Sequence, residues 1–125
     1  MTREQIGEKL SDLQPFIQYL IDTADDEWAV DVVRTEDGRN CMFGHLVDWC
    51  YGKGYTGNVN TAWDYFEARW MTTYVIYDVN DGKHPDYQQP SPKRRVVAYL
   101  TNLWLGQEVD TETGMALEAA WSSRV

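Results

Sequence analysis

The stretch from Trp28 to Gly44 constrains the fold more than any other part of this chain. Trp28, Val30 and Val32 alternate with Ala29, Asp31 and Val33, so a short strand is expected over residues 28 to 35. Glu36-Asp37-Gly38 then reads as a turn in which Gly38 can take positive φ without steric penalty. Beyond the turn the period changes. Met42, Leu46 and Trp49 share one helical face with Phe43, Val47 and Cys50 beside it, an apolar stripe that predicts a mostly buried helix over residues 41 to 51.

The rest of the chain supplies helices to cover that stripe. Ile6, Leu10, Leu13, Ile17 and Leu20 recur at spacings of three and four, with Thr2 as N-cap and Gln5 completing a capping box. Pro15 lies inside this pattern and removes a backbone donor, so a break near Gln14 should leave two shorter helices. Gly52, Gly54 and Gly57 end the buried helix, and Asn60 or Thr61 caps another running to about Thr72, on which Trp63, Phe66 and Trp70 line one face. Tyr74-Val75-Ile76-Tyr77 is β-prone, which predicts a second strand over 73 to 78, and Asp78 to Gly82 is dense in turn formers. Ser91-Pro92 starts a last helix, with Val96, Val97, Leu100, Leu103 and Trp104 facing inward and Gly106 stopping it after Leu105. The tail from Asp110 carries Met115, Leu117, Ala120 and Trp121, enough for a short docking helix. At 125 residues the chain has the size of a single compact domain, 1 to 125. The expected class is α+β but mostly helical: four or five helices, a sheet of two or three strands from 28 to 35 and 73 to 78, and a core of Trp49, Trp63, Phe66, Leu100 and Trp104.

Charge narrows the function. Twenty acidic residues against eleven basic give a net charge of −9, which repels phosphate backbones and argues against direct nucleic-acid binding over a basic face. No apolar run is long enough to span a bilayer and the N-terminus opens on charged residues, so a soluble, cytoplasmic protein is expected. Two cysteines are too few for a disulfide framework. The acidity is concentrated where Asp22, Asp25, Asp26, Glu27, Asp31, Glu36 and Asp37 are opposed only by Arg34. Such a run serves either as a solvated surface or as a docking surface. Six Trp and eight Tyr are hard to bury completely in one small domain, so a partly exposed aromatic patch is also expected.

Reactive groups are few. Cys41, His45 and Asp48 stand at i, i+4 and i+7 on the buried helix, which aligns a thiol, an imidazole and a carboxylate as a zinc half-site or a Cys-His pair, although the spacing matches no compact zinc motif. Gly52-x-Gly54-x-x-Gly57 has the spacing of a dinucleotide loop but follows a helix rather than a strand, so it reads as a connector. No metal or cofactor is expected. Lys93-Arg94-Arg95 lies in the first turn of the last helix, where the dipole disfavours cations. Asp78, Asp81 or Asp86 could offset it, or an anion or acidic partner could bind there.

The order Trp28, Asp37-Gly38-Arg39-x-Cys41-x-x-Gly44, then Asn80-Asp81 ahead of a helix carrying Val96, Val97 and Leu100 resembles a group of small proteins of actinobacteria and their phages with no established activity. The resemblance implies a compact, mostly helical fold and a phage or bacterial setting, and it carries over no catalytic residue. The long acidic connector, the 82 to 90 loop and the C-terminal tail depart from that group.

The functional expectation is a non-enzymatic, phage-type accessory protein that binds a host or viral protein through an acidic, aromatic-rich surface, with Asp25, Asp26, Glu27, Asp31 and Asp37 as its partner-binding residues and DNA mimicry toward a nucleic-acid-binding target as one form of that reading. A second candidate site is Asn80 and Asp81 with Lys93, Arg94 and Arg95. The alternative class is a small enzyme or ligand- or metal-binding protein built on the Cys41, His45, Asp48 face. Asp37, Gly38, Asn80 and Asp81 are expected to act as structural turn elements.

Overall fold

The computed structural model describes residues 2 to 70 and 73 to 108. Those residues form six α-helices, α1 (Arg3–Leu10), α2 (Gln14–Asp22), α3 (Met42–Tyr51), α4 (Asn60–Trp70), α5 (Thr73–Asp81) and α6 (Pro92–Glu108), with one 3-10 turn at Asp25–Glu27. The fold is therefore helical rather than α+β. No strand occurs among the described residues; the segment from 28 to 40 makes only isolated bridges, Trp28 with Asn40 and Arg34 with Asn40.

The two expected strands fail for different reasons. Over 75 to 81 the buried positions are Ile76, Val79 and Asn80, a spacing of three and four that turns one helical face toward α6. Burial on that face outweighs the β-propensity of the Val75-Ile76 pair, because propensity is a weak prior against tertiary packing. With residues 73 to 78 helical, residues 28 to 35 have no strand to pair with. Their extension is also broken at Asp31, whose φ of 63° is left-handed.

Local signals set the helix ends elsewhere. Thr2 and Gln5 form the capping box, each side chain accepting from the other's backbone N–H. Pro15 occupies the first turn of α2, and the chain breaks between Leu10 and Gln14. Ser91 Oγ accepts from the Arg94 N–H, the cap expected ahead of Pro92. Two boundaries move: Asn58 rather than Asn60 supplies the side-chain oxygen at the start of α4, and α6 runs past Gly106 to Glu108. The tail from Asp110 lies outside the described residues.

α5 packs on α6, α1 on α4 and α2 on α6, while α3 touches α2, α4 and α5. Its central place explains why α3 is buried nearly all round. The core runs through Leu10, Leu13, Phe16, Leu20, Met42, Leu46, Phe66, Ile76, Val79, Val96, Val97 and Leu100. Phe66 and Leu100 are core residues as expected, but Trp49, Trp63 and Trp104 are only partly buried, Trp49 and Trp104 packing at its margin and Trp63 against Phe43 and Tyr77. Trp49 lies against Phe16 and under the Lys9 ammonium, 4.4 Å from its ring centre, a half-wet setting that suits an indole.

Candidate functional site

Residues 28 to 40 form an irregular strap across the N-terminal half of α3, and a few polar side chains seat it. Asn40 is the hub. Its N–H donates to the Glu27 carbonyl (2.9 Å) and its carbonyl accepts from the Ala29 N–H (2.8 Å). Asn40 Nδ2 donates to Asp48 (2.9 Å), and Asn40 Oδ1 accepts from Arg34 Nε (2.8 Å). Arg34 also donates to Asp48 Oδ1 (2.6 Å) and to the Tyr55 carbonyl (3.2 Å). The Asp48 carboxylate, buried on α3, thus takes hydrogen bonds from Arg34, Asn40 and the Gly54 N–H, which is what a buried carboxylate requires.

A second anchor comes from α5. Asn80, 1% exposed, accepts at Oδ1 from the Met42 N–H (2.9 Å) and donates from Nδ2 to the Ala29 carbonyl (2.9 Å) and to Asp81 (3.1 Å). One side chain therefore caps the N-terminus of α3 from another helix and holds the start of the strap. Asp81 accepts from the Asp31 N–H (3.0 Å), holding the left-handed residue. Where the strap crosses α3 there is no room for a side chain: a Cβ on Gly44 would stand 2.6 Å from Asn40 Oδ1 and 2.7 Å from the Val33 carbonyl. At the far end Thr35 donates to Asp37, Arg39 Nε donates to the same carboxylate (3.2 Å), and Gly38 takes φ of 88°. These hydrogen bonds, Thr35 first and Arg39 second, hold the Asp37 carboxyl below its usual range. Gly38, Asn80 and Asp81 are structural elements of this seat.

The strap turns apolar side chains to solvent. Val30, Val32 and Val33 are 42%, 48% and 43% exposed. Among the expected docking residues Asp25, Asp26, Asp31 and Asp37 are exposed, whereas Glu27 is half-buried and contributes its carbonyl to the seat. Asp31 lies 3.7 Å from Lys83, an exposed pair of little energetic weight.

Cys41, His45 and Asp48 do not assemble a reactive centre. All three are buried, and Asp48 is committed to Arg34 and Asn40. Burial pushes the Cys41 thiol up and the Cys50 thiol to about 11, so neither has the thiolate character a nucleophile needs. Among the described residues no three His, Cys, Asp or Glu side chains converge to hold a metal ion. His45 instead packs against the Trp28 ring, centroids 4.3 Å apart, while the Trp28 indole N–H donates to Thr23 Oγ1 (2.8 Å).

Two members of the basic cluster, Lys93 and Arg95, meet helix ends. Lys93 Nζ donates to the Thr23 carbonyl at the end of α2 (2.5 Å). Arg95 donates to the Val79 and Asn80 carbonyls in the last turn of α5 (3.0 and 2.8 Å) and to Gln89 (2.9 Å). Unpaired carbonyls carrying the negative end of a dipole are good partners for cations. Arg95 and Asn80 are thereby brought together, though through the Asn80 backbone.

Val30, Val32 and Val33 as exposed groups, Asn40 as hub and the Trp28–His45 stack were not indicated by the sequence. Arg34 had a usable signal, since a lone cation in an acidic run is a ready partner for the carboxylate on α3. Among the described residues no helix is long and apolar enough to cross a membrane. Comparison with family models, with curated proteins and with solved structures finds no match for this chain.

Proposed function

We propose that this chain is a non-enzymatic accessory protein of a bacterial or phage setting that binds another protein in the cytoplasm through the acidic, valine-bearing strap. The observation that carries this reading is the exposure of Val30, Val32 and Val33 on a segment held in one shape by buried polar ties, beside the exposed carboxylates of Asp25, Asp26 and Asp31. Apolar groups clustered at a charged, preorganised surface give a partner both desolvation energy and orientation. The valines favour a protein-docking surface over a mimic of DNA phosphates, which would call for a uniformly charged face. Its partner would present basic side chains around an apolar patch, matching the net charge of −9.

Affinity capture from a host lysate tests this reading with three baits: the native protein, the double variant Asp25→Lys, Asp26→Lys, and the double variant Val30→Ser, Val32→Ser. A partner retained by the native chain and lost by both variants is expected. Capture indifferent to both changes, or no specific partner, would overturn the proposal.

A further inference from the structure

We propose that the strap is an acid-sensitive latch, released from α3 when His45 takes up a proton. The geometry is that of a sealed imidazole. His45 is 3% exposed, lies against the Trp28 ring at 4.3 Å, and has an Nε2 with no hydrogen-bond partner among the described residues. Trp28 begins the strap, and its neighbours Glu27 and Ala29 make the two backbone bonds to Asn40. A proton on Nε2 would create a buried cation with an unanswered donor directly beneath the tryptophan that closes the strap, and such a group is expensive in a dry interior.

The charged groups around the imidazole do not rescue it. Asp48, on the same helix, and Glu27, from the 3-10 turn, through both its charge and a backbone hydrogen bond, favour the cation, while Arg34 from the strap opposes it. Tyr19 of α2 faces the same two carboxylates and is neutral at these pH values. Asp48 is the strongest attractor, yet its oxygens are already held by Arg34, Asn40 and Gly54, so turning toward His45 would undo the strap's other anchor. Burial dominates and pushes the His45 imidazole down to about 4 from its usual 6.5.

The direction of the pH effect follows. A histidine lowered in the closed state binds its proton more readily once the strap lifts and water reaches it. Closure therefore keeps its full advantage above pH 6.5 and loses it as pH falls from 6.5 toward about 4. Between pH 7.5 and pH 5 the opening equilibrium should rise about 30-fold by this linkage. The inference concerns the strap's attachment and holds whether or not the strap binds a partner.

Native-state hydrogen exchange tests it, read at the Ala29, Asn40 and Cys41 amides, all bonded within the seat, with the Val97 and Leu100 amides of α6 as reference. After correction for intrinsic exchange, opening at the strap should rise about 30-fold from pH 7.5 to 5, with α6 changing far less. His45→Phe, which keeps a ring under Trp28 but cannot be protonated, should flatten that rise to under about 3-fold. An equal rise in both proteins, or none in the native protein, overturns the proposal. Should His45→Phe fail to fold, NMR titration of His45 in the native protein decides: a midpoint below about 5.5 supports the latch, and one at or above about 5.5 refutes it.

Discussion

Replacing Asn80 with alanine removes a side chain that ties α5 to both α3 and the strap, and its cost can be worked from the bonds. The change orphans the Met42 N–H at the start of α3 and the Ala29 carbonyl in the strap, both on residues that are themselves buried. An unsatisfied buried polar group costs about 1–3 kcal/mol. Two of them give about 2–6 kcal/mol, and the loss of the Asp81 contact, on a half-exposed group, adds little. Urea denaturation followed by far-UV circular dichroism should show Asn80→Ala less stable by about 3 kcal/mol, with an unchanged slope against denaturant. Asn80→Leu is the sharper control, because it fills the volume of the amide and restores neither hydrogen bond. It should be destabilised comparably. A loss under about 1 kcal/mol for alanine, or wild-type stability for leucine, would show that Asn80 is packing rather than tying and would refute the account of the seat.

Two further substitutions probe the strap. Gly44→Ala should cost about 2 kcal/mol or more in the same denaturation experiment, because the new Cβ meets the Val33 carbonyl and Asn40, backbone and hub that can yield only by lifting the strap; a neutral result would mean the strap rides higher than described. Gly38→Val should cost about 1 kcal/mol or more through backbone strain alone, since its φ is 88° and a Cβ there would meet no atom within 4 Å. Gly38→Asn, which tolerates that conformation, should recover most of the loss.

What was legible in the sequence was local. The Thr2–Gln5 capping box, the break imposed by Pro15 and the Ser91-Pro92 start all depend on residues within a turn of one another, and each appears in the structure. The expected sheet was not, because Val75 and Ile76 carry a β preference that the burial of Ile76, Val79 and Asn80 on one helical face overrules, and the strap's alternation hides a left-handed residue at Asp31. The same distinction holds at the site. Exposure of Asp25, Asp26, Asp31 and Asp37 follows from charge, and the turn role of Gly38 follows from its neighbours. Asn80 capping α3 across 38 residues, and Trp28 sealing His45, are juxtapositions of distant segments that no periodicity encodes. Cys41, His45 and Asp48 show the opposite hazard. Helical spacing suggests one line of groups, yet Cys41 stands at the extended N-cap ahead of α3, and burial with prior commitments removes their chemistry.

The cations at the start of α6 act as a register key for the assembled helices. In an isolated α6, Lys93, Arg94 and Arg95 would sit at the positive end of the dipole and weaken the first turn. In the folded chain Lys93 reaches the end of α2, and Arg95 reaches the end of α5. Sliding α6 by one turn, about 5.4 Å, would carry both away from those carbonyls while leaving an apolar face still able to find apolar neighbours. Greasy surfaces alone would tolerate several such misalignments; two cations that must each find a particular helix end accept one.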